Sequence, residues 1–235
     1  MKALILAAGI GSRLAPLTDD LPKSLVPVNG MPIIFKQIEN LHQNGIIDIS
    51  IVTGYRADLL KNAVKEKYSN VQFIDNVDYL DTNNMYSAYL ARDLFSGIPF
   101  LMMNADVFYD ASVVRALLRY PAECAIVTDI GNYLDESMKV IEKGGRLVKI
   151  SKAITKEEAL GASIDVYKFS ADAGSLFFDV CKIYIEEKKE LKLWSEVALN
   201  EILRKTIFKA CPLDGRWMEI DNHDDLKVAE AMFKE

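Results

Sequence analysis

Two cations, Arg13 and Lys23, stand on one irregular stretch that also carries Gly9 and Gly11. The stretch follows a short apolar run, Ala3 to Ala7, which reads as a buried parallel strand. A strand that empties into a glycine-rich loop lets backbone N–H groups come close to a phosphate. Glycines with well-spaced cations suit a triphosphate better than a neutral ligand. A second apolar run, Phe100 to Met103, ends in Asn104-Ala105-Asp106. That places an acid at the carboxyl end of a strand, where open parallel sheets bind ligands. We favour metal ligation for Asp106, because capping of the next helix falls more naturally to Asp110. A third acid, Asp221, closes the run Arg216 to Asp221, in which Trp217, Glu219 and Asp221 share one face by the period of two. Capping of the following helix by Asp221 or Asn222 is the alternative there.

Two phosphate motifs are excluded. A P-loop needs Gly-Lys-Ser/Thr in one tight turn, and the chain has none. A dinucleotide fingerprint needs a third glycine where Leu14 stands and an acid after the second strand, which instead ends Val52-Thr53-Gly54. The run from Leu6, Leu-Ala-Ala-Gly-x-Gly-Ser-Arg-Leu-x-Pro-Leu-Thr, followed by Pro22-Lys23-Ser24-Leu25-Val26, resembles the signature of the nucleotidyltransferase (pyrophosphorylase) family. The resemblance implies a Rossmann-like α/β enzyme that couples a nucleoside triphosphate to a phosphorylated acceptor and releases pyrophosphate.

It also implies roles for particular residues. Leu6, Ala7, Ala8, Gly9, Gly11 and Ser12 would bind the nucleotide, Arg13 the β,γ-phosphates, and Lys23 the charge building at the α-phosphate. Asp106 and Asp221 would hold Mg²⁺. Asn83-Asn84-Met85-Tyr86-Ser87 resembles the branch that uses CTP and small phosphorylated amino alcohols, which makes Asn83, Asn84 and Ser87 candidates for the base pocket. Asparagine carries both donors and acceptors, as a pyrimidine edge requires. Thr82 or Asn83 also suits the N-cap of a helix from Asn84 to Asp93. Lys139 and Lys152 match positions where the family's lysines meet the acceptor phosphate, with a solvated surface charge as the competing reading. Such enzymes often carry Gly-Glu-x-Ile-Gly where this chain has Gly161-Ala162-Ser163-Ile164-Asp165. Asp165 thus joins the candidate acceptor residues. The acceptors expected are phosphocholine, 2-aminoethylphosphonate or a phosphorylated amino acid or amide such as glutamine phosphate, used in modifying a cell-surface polysaccharide or lipid. Two rivals are a sugar-1-phosphate uridylyl- or thymidylyltransferase and a non-catalytic nucleotide-sensing subunit. The missing long sugar lobe weighs against the first, and retention of Arg13, Lys23 and both acids against the second.

The elements that must position these groups follow a strand–helix rhythm. Helices are predicted over 32–43 and 57–67, between strands over 49–52 and 71–74, which means right-handed crossovers and a mainly parallel sheet. A helix follows over 111–120. Strands over 125–128, 138–141 and 147–151 come next, the last two flanking the turn Lys143-Gly144-Gly145-Arg146. Ser163 to Phe169 alternates, with Ile164, Val166 and Tyr167 set against Asp165 and Lys168. Helices over 171–189 and 194–205, a strand over 207–212 and a C-terminal helix over 224–233 complete the reading. The expected organisation is one domain over 1–235: a nucleotide-binding half over 1–120, a small antiparallel acceptor lobe and sheet completion over 121–221, and the C-terminal helix region over 222–235.

Composition excludes several classes. The chain has 235 residues, half of them apolar, and a net charge of −6, which argues against a nucleic-acid binder or a basic membrane anchor. Met1-Lys2 leads straight into a strand with no cleavage site, and no run approaches membrane-spanning length. Cys124, Cys181 and Cys211 are odd in number and scattered, as expected of buried thiols in a reducing cytoplasm. The expected partners are CTP and a small phosphorylated acceptor, with self-association into a homo-oligomer left open.

Overall fold

A computed structural model of the chain describes residues 1–133 and 136–234. From the N-terminus the chain forms β1 (Lys2–Ala7), the short pair β2 (Pro27–Val28) and β3 (Met31–Pro32), then α1 (Ile33–Gln43), β4 (Ile49–Thr53), α2 (Ala57–Lys67) and β5 (Val71–Asp75). It continues through α3 (Asn84–Leu90), α4 (Arg92–Phe95), β6 (Phe100–Asn104), β7 (Val107–Tyr109) and α5 (Ala111–Arg119). The second half holds β8 (Ala125–Ile130), β9 (Lys139–Lys143), β10 (Arg146–Ser151), β11 (Gly161–Phe169), α6 (Ala171–Lys182), α7 (Ser195–Leu203), β12 (Lys209–Pro212), β13 (Trp217–Glu219) and α8 (His223–Met232).

One nine-stranded sheet runs β10-β9-β11-β6-β1-β4-β5, with β8 paired to β11 and β12 to β8. β1 is parallel to both β4 and β6, and β4 is parallel to β5. β9 and β10 form the antiparallel hairpin expected around Gly144-Gly145, β11 pairs antiparallel with β6, β8 and β9, and β12 returns parallel to β8. The chain builds outward from β1 on one side before returning to lay β6 on the other. That reversal opens a crevice at the carboxyl ends of β1 and β6, where open α/β sheets place ligands.

Both faces of the sheet are covered, which is why β1 is apolar in succession rather than alternating. Leu4 and Leu6 point into one core with Phe100, Phe169 and Phe177, and Ala3, Ile5 and Ala7 into the other with Ile34, Ile38 and Leu117. A third, smaller core of Leu14, Val26, Ile33, Phe108, Ile220 and Phe233 lies beneath the glycine-rich loop and ties it to α8. The three cysteines are buried and free. Among the described residues no helix is long and apolar enough to cross a membrane.

Several elements differ from expectation for local reasons. The helix expected over 84–93 breaks at Ala91 into α3 and α4. The helix expected to reach Lys189 ends as α-helix at Lys182 and widens into a π turn over Ile183–Glu187, where Glu186 accepts a 2.5 Å hydrogen bond from the Tyr89 hydroxyl. All nine positions of β11 are buried, so its alternation does not mark a solvent face. The Lys168 ammonium, buried, instead donates to the carbonyls of Leu117 and Tyr120 at the end of α5, where the helix dipole favours a cation.

Candidate active site

The loop after β1 is held from below by Leu14 and Val26, both fully buried. Ser12–Leu14 and Lys23–Leu25 each make a single 3₁₀ turn. Gly11 lies in the left-handed region at φ 72°, and a Cβ there would sit 2.7 Å from Cβ of Lys23, so only glycine lets Lys23 pack alongside. The Thr18 hydroxyl donates to the Gly11 carbonyl at 2.9 Å and closes the loop.

Lys23 is turned inward rather than toward solvent. Its Nζ lies 3.0 Å from Asp106 Oδ2 and 2.6 Å from Asp221 Oδ1. Burial alone would lower the Lys23 pKa, but the charges of Asp106 and Asp221 outweigh it and the value is raised. Asp221 Oδ2 also meets Arg13 at 2.7 Å, and the guanidinium is otherwise more than half exposed. The Asp221 carboxyl is held below its ordinary value: burial opposes this, while Lys23 and then Arg13 overcome it.

Asp106 and Asp221, far apart in sequence, meet through β7 and β13. These strands pair antiparallel with Glu219 opposite Val107, and the Ile220 N–H donates to the Asp106 carbonyl at 2.9 Å. Helix α8 is capped by Asn222, whose Oδ1 accepts from the N–H groups of Asp224 and Asp225, while Asp225 accepts from the N–H groups of Asp221 and Asn222. The capping alternative therefore belongs to Asn222, and the Asp221 side chain is committed to the cleft.

Glu219 joins them. Ligand oxygens of Asp106, Glu219 and Asp221 all lie within 4.8 Å of one another. Burial first, then the charges of Asp106, Asp165 and Asp221, push Glu219 up to about 9. The period of two had put Glu219 on the face of Asp221, so its place was readable although it was not among the candidate ligands.

A cleft of about 380 Å³ runs from Leu6, Ala8, Gly9, Gly11, Ser12, Arg13 and Lys23 past Asn83, Asn84 and Ser87 to Lys152, Asp165 and Glu196. Asn83 caps α3 by accepting from the Asn84 N–H at 2.8 Å, and Asn84 Oδ1 accepts from the Ser195 N–H at 2.8 Å, stitching α3 to α7. Asn76 donates to the hydroxyls of Thr82 and Ser87. Ala7 turns into the core and borders a small side cavity with Gly9, Lys23 and Asp106. Lys152 lies 5.5 Å over the Trp194 ring in the cleft wall. Lys139 is buried in β9 with Nζ 3.4 Å from the Ser137 carbonyl, and it does not line the cleft.

At the far end Asp165 takes a left-handed backbone, φ 57°, which costs a non-glycine residue energy and turns its side chain to a buried position. Its Oδ2 accepts from Asn104 at 2.9 Å, and its Oδ1 lies 2.7 Å from the Tyr167 hydroxyl. The same hydroxyl is 3.0 Å from Glu196 Oε1, and Glu196 Oε2 is buried with no hydrogen-bond partner among the described residues. Burial is the main force pushing Asp165 up to about 6 and Glu196 up to about 7. Sequence reasoning missed Glu196, because an acid in the first turn of a helix is ordinary there.

A glycine-rich loop with two cations facing a carboxylate cluster is accompanied by matching kinship. Residues 2–136 match the family described as nucleotidyl transferase. The chain belongs to that family. As a nucleotidyltransferase it is similar to the CTP:phosphoglutamine cytidylyltransferase of Campylobacter jejuni, 31% identical over 97% of this chain and 98% of the relative. It is 34% identical to the choline-phosphate cytidylyltransferase of Streptococcus pneumoniae over 71% of this chain and 81% of that one. The 2-aminoethylphosphonate cytidylyltransferase of Lancefieldella rimae is 31% identical over 86% of this chain and 80% of its own. Among solved structures, the CTP:phosphocholine cytidylyltransferase of Streptococcus pneumoniae superimposes with a TM-score of 0.79 at 27% identity, covering 99% of both chains.

Proposed function

We propose that this nucleotidyltransferase is a Mg²⁺-dependent cytidylyltransferase that moves CMP from CTP to a small phosphate or phosphonate bearing a nitrogen group. The carrying observation is the two-ended chemistry of the cleft: Arg13 and Lys23 on a glycine-rich loop at one end, and the buried Asp165–Tyr167–Glu196 group at the other. The three relatives above support it, since each is named for CTP transfer or cytidylyl transfer to a nitrogen-bearing acceptor. Among such acceptors, glutamine phosphate suits the pairing of Lys152 with the acidic group across one cleft, a cation and anions together matching a zwitterion.

In this reading an ionised acceptor oxygen attacks the α-phosphorus. A new P–O bond forms, the bond to the bridging α,β-oxygen breaks, and pyrophosphate leaves with the electron pair. No proton has to be transferred by the protein, so its work is positioning and charge neutralisation. The loop backbone from Ala8 to Ser12 cradles phosphate, Arg13 holds the leaving pyrophosphate, and Lys23 meets the charge building at the α-phosphate. Asn83, Asn84 and Ser87 border the base, and Asp165 with Glu196 meets the acceptor nitrogen.

The residues present fit a divalent cation. Asp106, Glu219 and Asp221 offer an all-oxygen donor set of the kind Mg²⁺ prefers, and Asp106 Oδ1 is buried without a partner. Burial, then the charges of Asp106, Asp165 and Asp221, raise the Glu219 pKa to about 9 against the opposing charge of Lys23, and a cation held there would draw it down. When bound there, Mg²⁺ would supply neutralisation of phosphate charge.

The test is a pyrophosphate-release screen with Mg²⁺, crossing CTP, UTP, dTTP and GTP with glutamine phosphate, phosphocholine, 2-aminoethylphosphonate and glucose 1-phosphate. Turnover is expected with CTP and a nitrogen-bearing acceptor. Equal turnover with UTP or dTTP, or a preference for glucose 1-phosphate, overturns the reading.

A further inference from the structure

Helix α1 carries the amides Gln37 and Asn40, and is capped at its C-terminus by Asn44, on the side that packs against the segment running from β6 to α5. Gln37 and Asn40 are fully buried. Gln37 Nε2 donates both of its hydrogens, one to the Asn104 carbonyl at 2.9 Å and one to the Val107 carbonyl at 2.8 Å. Those two carbonyls bracket Ala105-Asp106. Asn40 Nδ2 donates to the Tyr109 carbonyl at 2.7 Å, and Asn44 Nδ2 to the Ala111 carbonyl at 3.1 Å. One face of one helix thus braces the backbone on both sides of Asp106 and onward to α5.

The brace carries a cost that packing alone does not explain. Among the described residues, the Gln37 Oε1 is buried with no hydrogen-bond partner, as is Asn40 Oδ1. A methionine of similar volume would fill the Gln37 site without stranding an oxygen. What the amide adds is a fixed separation between the Asn104 and Val107 carbonyls, and hence a fixed turn carrying Asp106. Because β7 pairs with β13, and the Ile220 N–H meets the Asp106 carbonyl, the same turn sets where Glu219 and Asp221 stand.

We propose that Gln37 is a positioning residue for the carboxylate cluster: its single amide, spanning the Asn104 and Val107 carbonyls, holds Asp106 in register with Glu219 and Asp221. The inference rests on the proposed Mg²⁺-dependent reading. Gln37 touches neither nucleotide nor acceptor, and acts only through the turn it spans.

The test compares Gln37→Met with Asn40→Leu, a matched control that also removes a buried amide donor from α1 but braces Tyr109 rather than the Asp106 turn. Three quantities are read: Tm, the Mg²⁺ concentration giving half-maximal turnover, and Mn²⁺ affinity in the presence of cytidine 5′-(α,β-methylene)triphosphate, measured by water-proton relaxation. Gln37→Met is expected to weaken Mg²⁺ half-saturation and Mn²⁺ affinity about 10- to 100-fold, the range typical of groups that orient metal ligands. KM for CTP at saturating Mg²⁺ should change less than about twofold on the same basis, since the brace does not touch the nucleotide. Asn40→Leu should lower Tm comparably and leave both metal quantities within about twofold. If Gln37→Met fails to fold, Gln37→Asn, whose shorter side chain cannot span both carbonyls, replaces it. Metal quantities that shift no more than in Asn40→Leu overturn the proposal. Absence of Mg²⁺-dependent turnover in the unaltered protein overturns the reading beneath it instead.

Discussion

Glu196→Gln probes the most deeply buried charge in the cleft. The Tyr167 hydroxyl lies 2.7 Å from Asp165 Oδ1 and 3.0 Å from Glu196 Oε1, yet it has one proton to give. Both contacts are hydrogen bonds only while one carboxyl keeps a proton of its own. The groups facing Glu196 are Asp165 and Tyr167 on β11 and Ser195 on its own helix, and among the described residues no cation is one of them. Burial, then Asp165, pushes Glu196 up to about 7, and burial pushes Asp165 up to about 6. Both values lie above those of the unfolded chain, so the folded state holds protons more tightly between about pH 4 and pH 7. Their contribution to stability is complete below that window and is lost as pH rises through it.

For Glu196 a rise of two to three units corresponds to about 3 kcal/mol. In a protein of this size each kcal/mol moves Tm by roughly 2–4 °C. The neutral amide of Gln keeps a contact with Tyr167 at every pH and removes the titration. Between pH 5 and pH 8.5 the Tm of the wild type should therefore fall relative to that of Glu196→Gln by about 6–12 °C, read by scanning calorimetry. Under the proposed reading, the same change removes a charged partner from the acceptor nitrogen, which should raise acceptor KM at pH 8 on the order of 10²-fold while leaving KM for CTP nearly unchanged. Parallel Tm–pH curves, together with an unchanged acceptor KM, would refute both the shared proton and the assignment of this end to the acceptor.

Lys23→Ala should cut turnover by about 10²–10³ and, with EDTA present, lower Tm, because Asp106 then loses its cation and faces Asp221, which keeps only Arg13; added Mg²⁺ should recover most of that Tm. An undiminished Tm in EDTA would contradict the ion-pair geometry. Asp221→Asn should abolish Mg²⁺-dependent turnover although α8 keeps its Asn222 cap, and EDTA should silence the wild type in the same way; an active Asp221→Asn enzyme would leave Asp106 and Glu219 as the only metal ligands.

The parts of the site readable in sequence are those set by local chain geometry. Gly9, Gly11, Arg13 and Lys23 lie on one loop, and Asp106 follows directly from the end of a strand, so each could be placed without knowing any long-range partner. Strand β7 was not readable. Three residues, Val107 to Tyr109, are too short to show periodicity, and they are a strand only because Trp217 to Glu219 lies opposite. The same limit applies to Asp165 and Lys168, whose alternation with apolar neighbours suggests a wet face. Both faces of β11 are in fact covered, and each charge survives burial through specific partners. In the sequence Gln37 and Asn40 are ordinary polar residues of α1, and only the carbonyls they meet from β6 and β7 explain them.

Under the proposed reading, the charge balance at the loop ties the cation to the nucleotide. Arg13 meets Asp221 and, at 3.6 Å, Glu136, while Lys23 meets both Asp106 and Asp221, so both positive charges are already engaged by carboxylates. A triphosphate arriving alone would have to draw both cations away and leave two carboxylates beside its own anionic oxygens. A divalent cation arriving alone would have to displace Lys23 from both acids while gaining no partner for the freed ammonium. Arriving together, the two exchanges would offset: the carboxylates would be free to hold the metal, and Lys23 and Arg13 to meet phosphate. Under the proposed reading, nucleotide and Mg²⁺ should therefore bind with positive coupling, each raising the other's affinity by the same factor. That factor should shrink in Lys23→Ala, where no ion pair has to be exchanged. Independent binding of Mn²⁺ and the α,β-methylene nucleotide by the wild type would show that Lys23 and Arg13 do not leave the carboxylates when phosphate arrives.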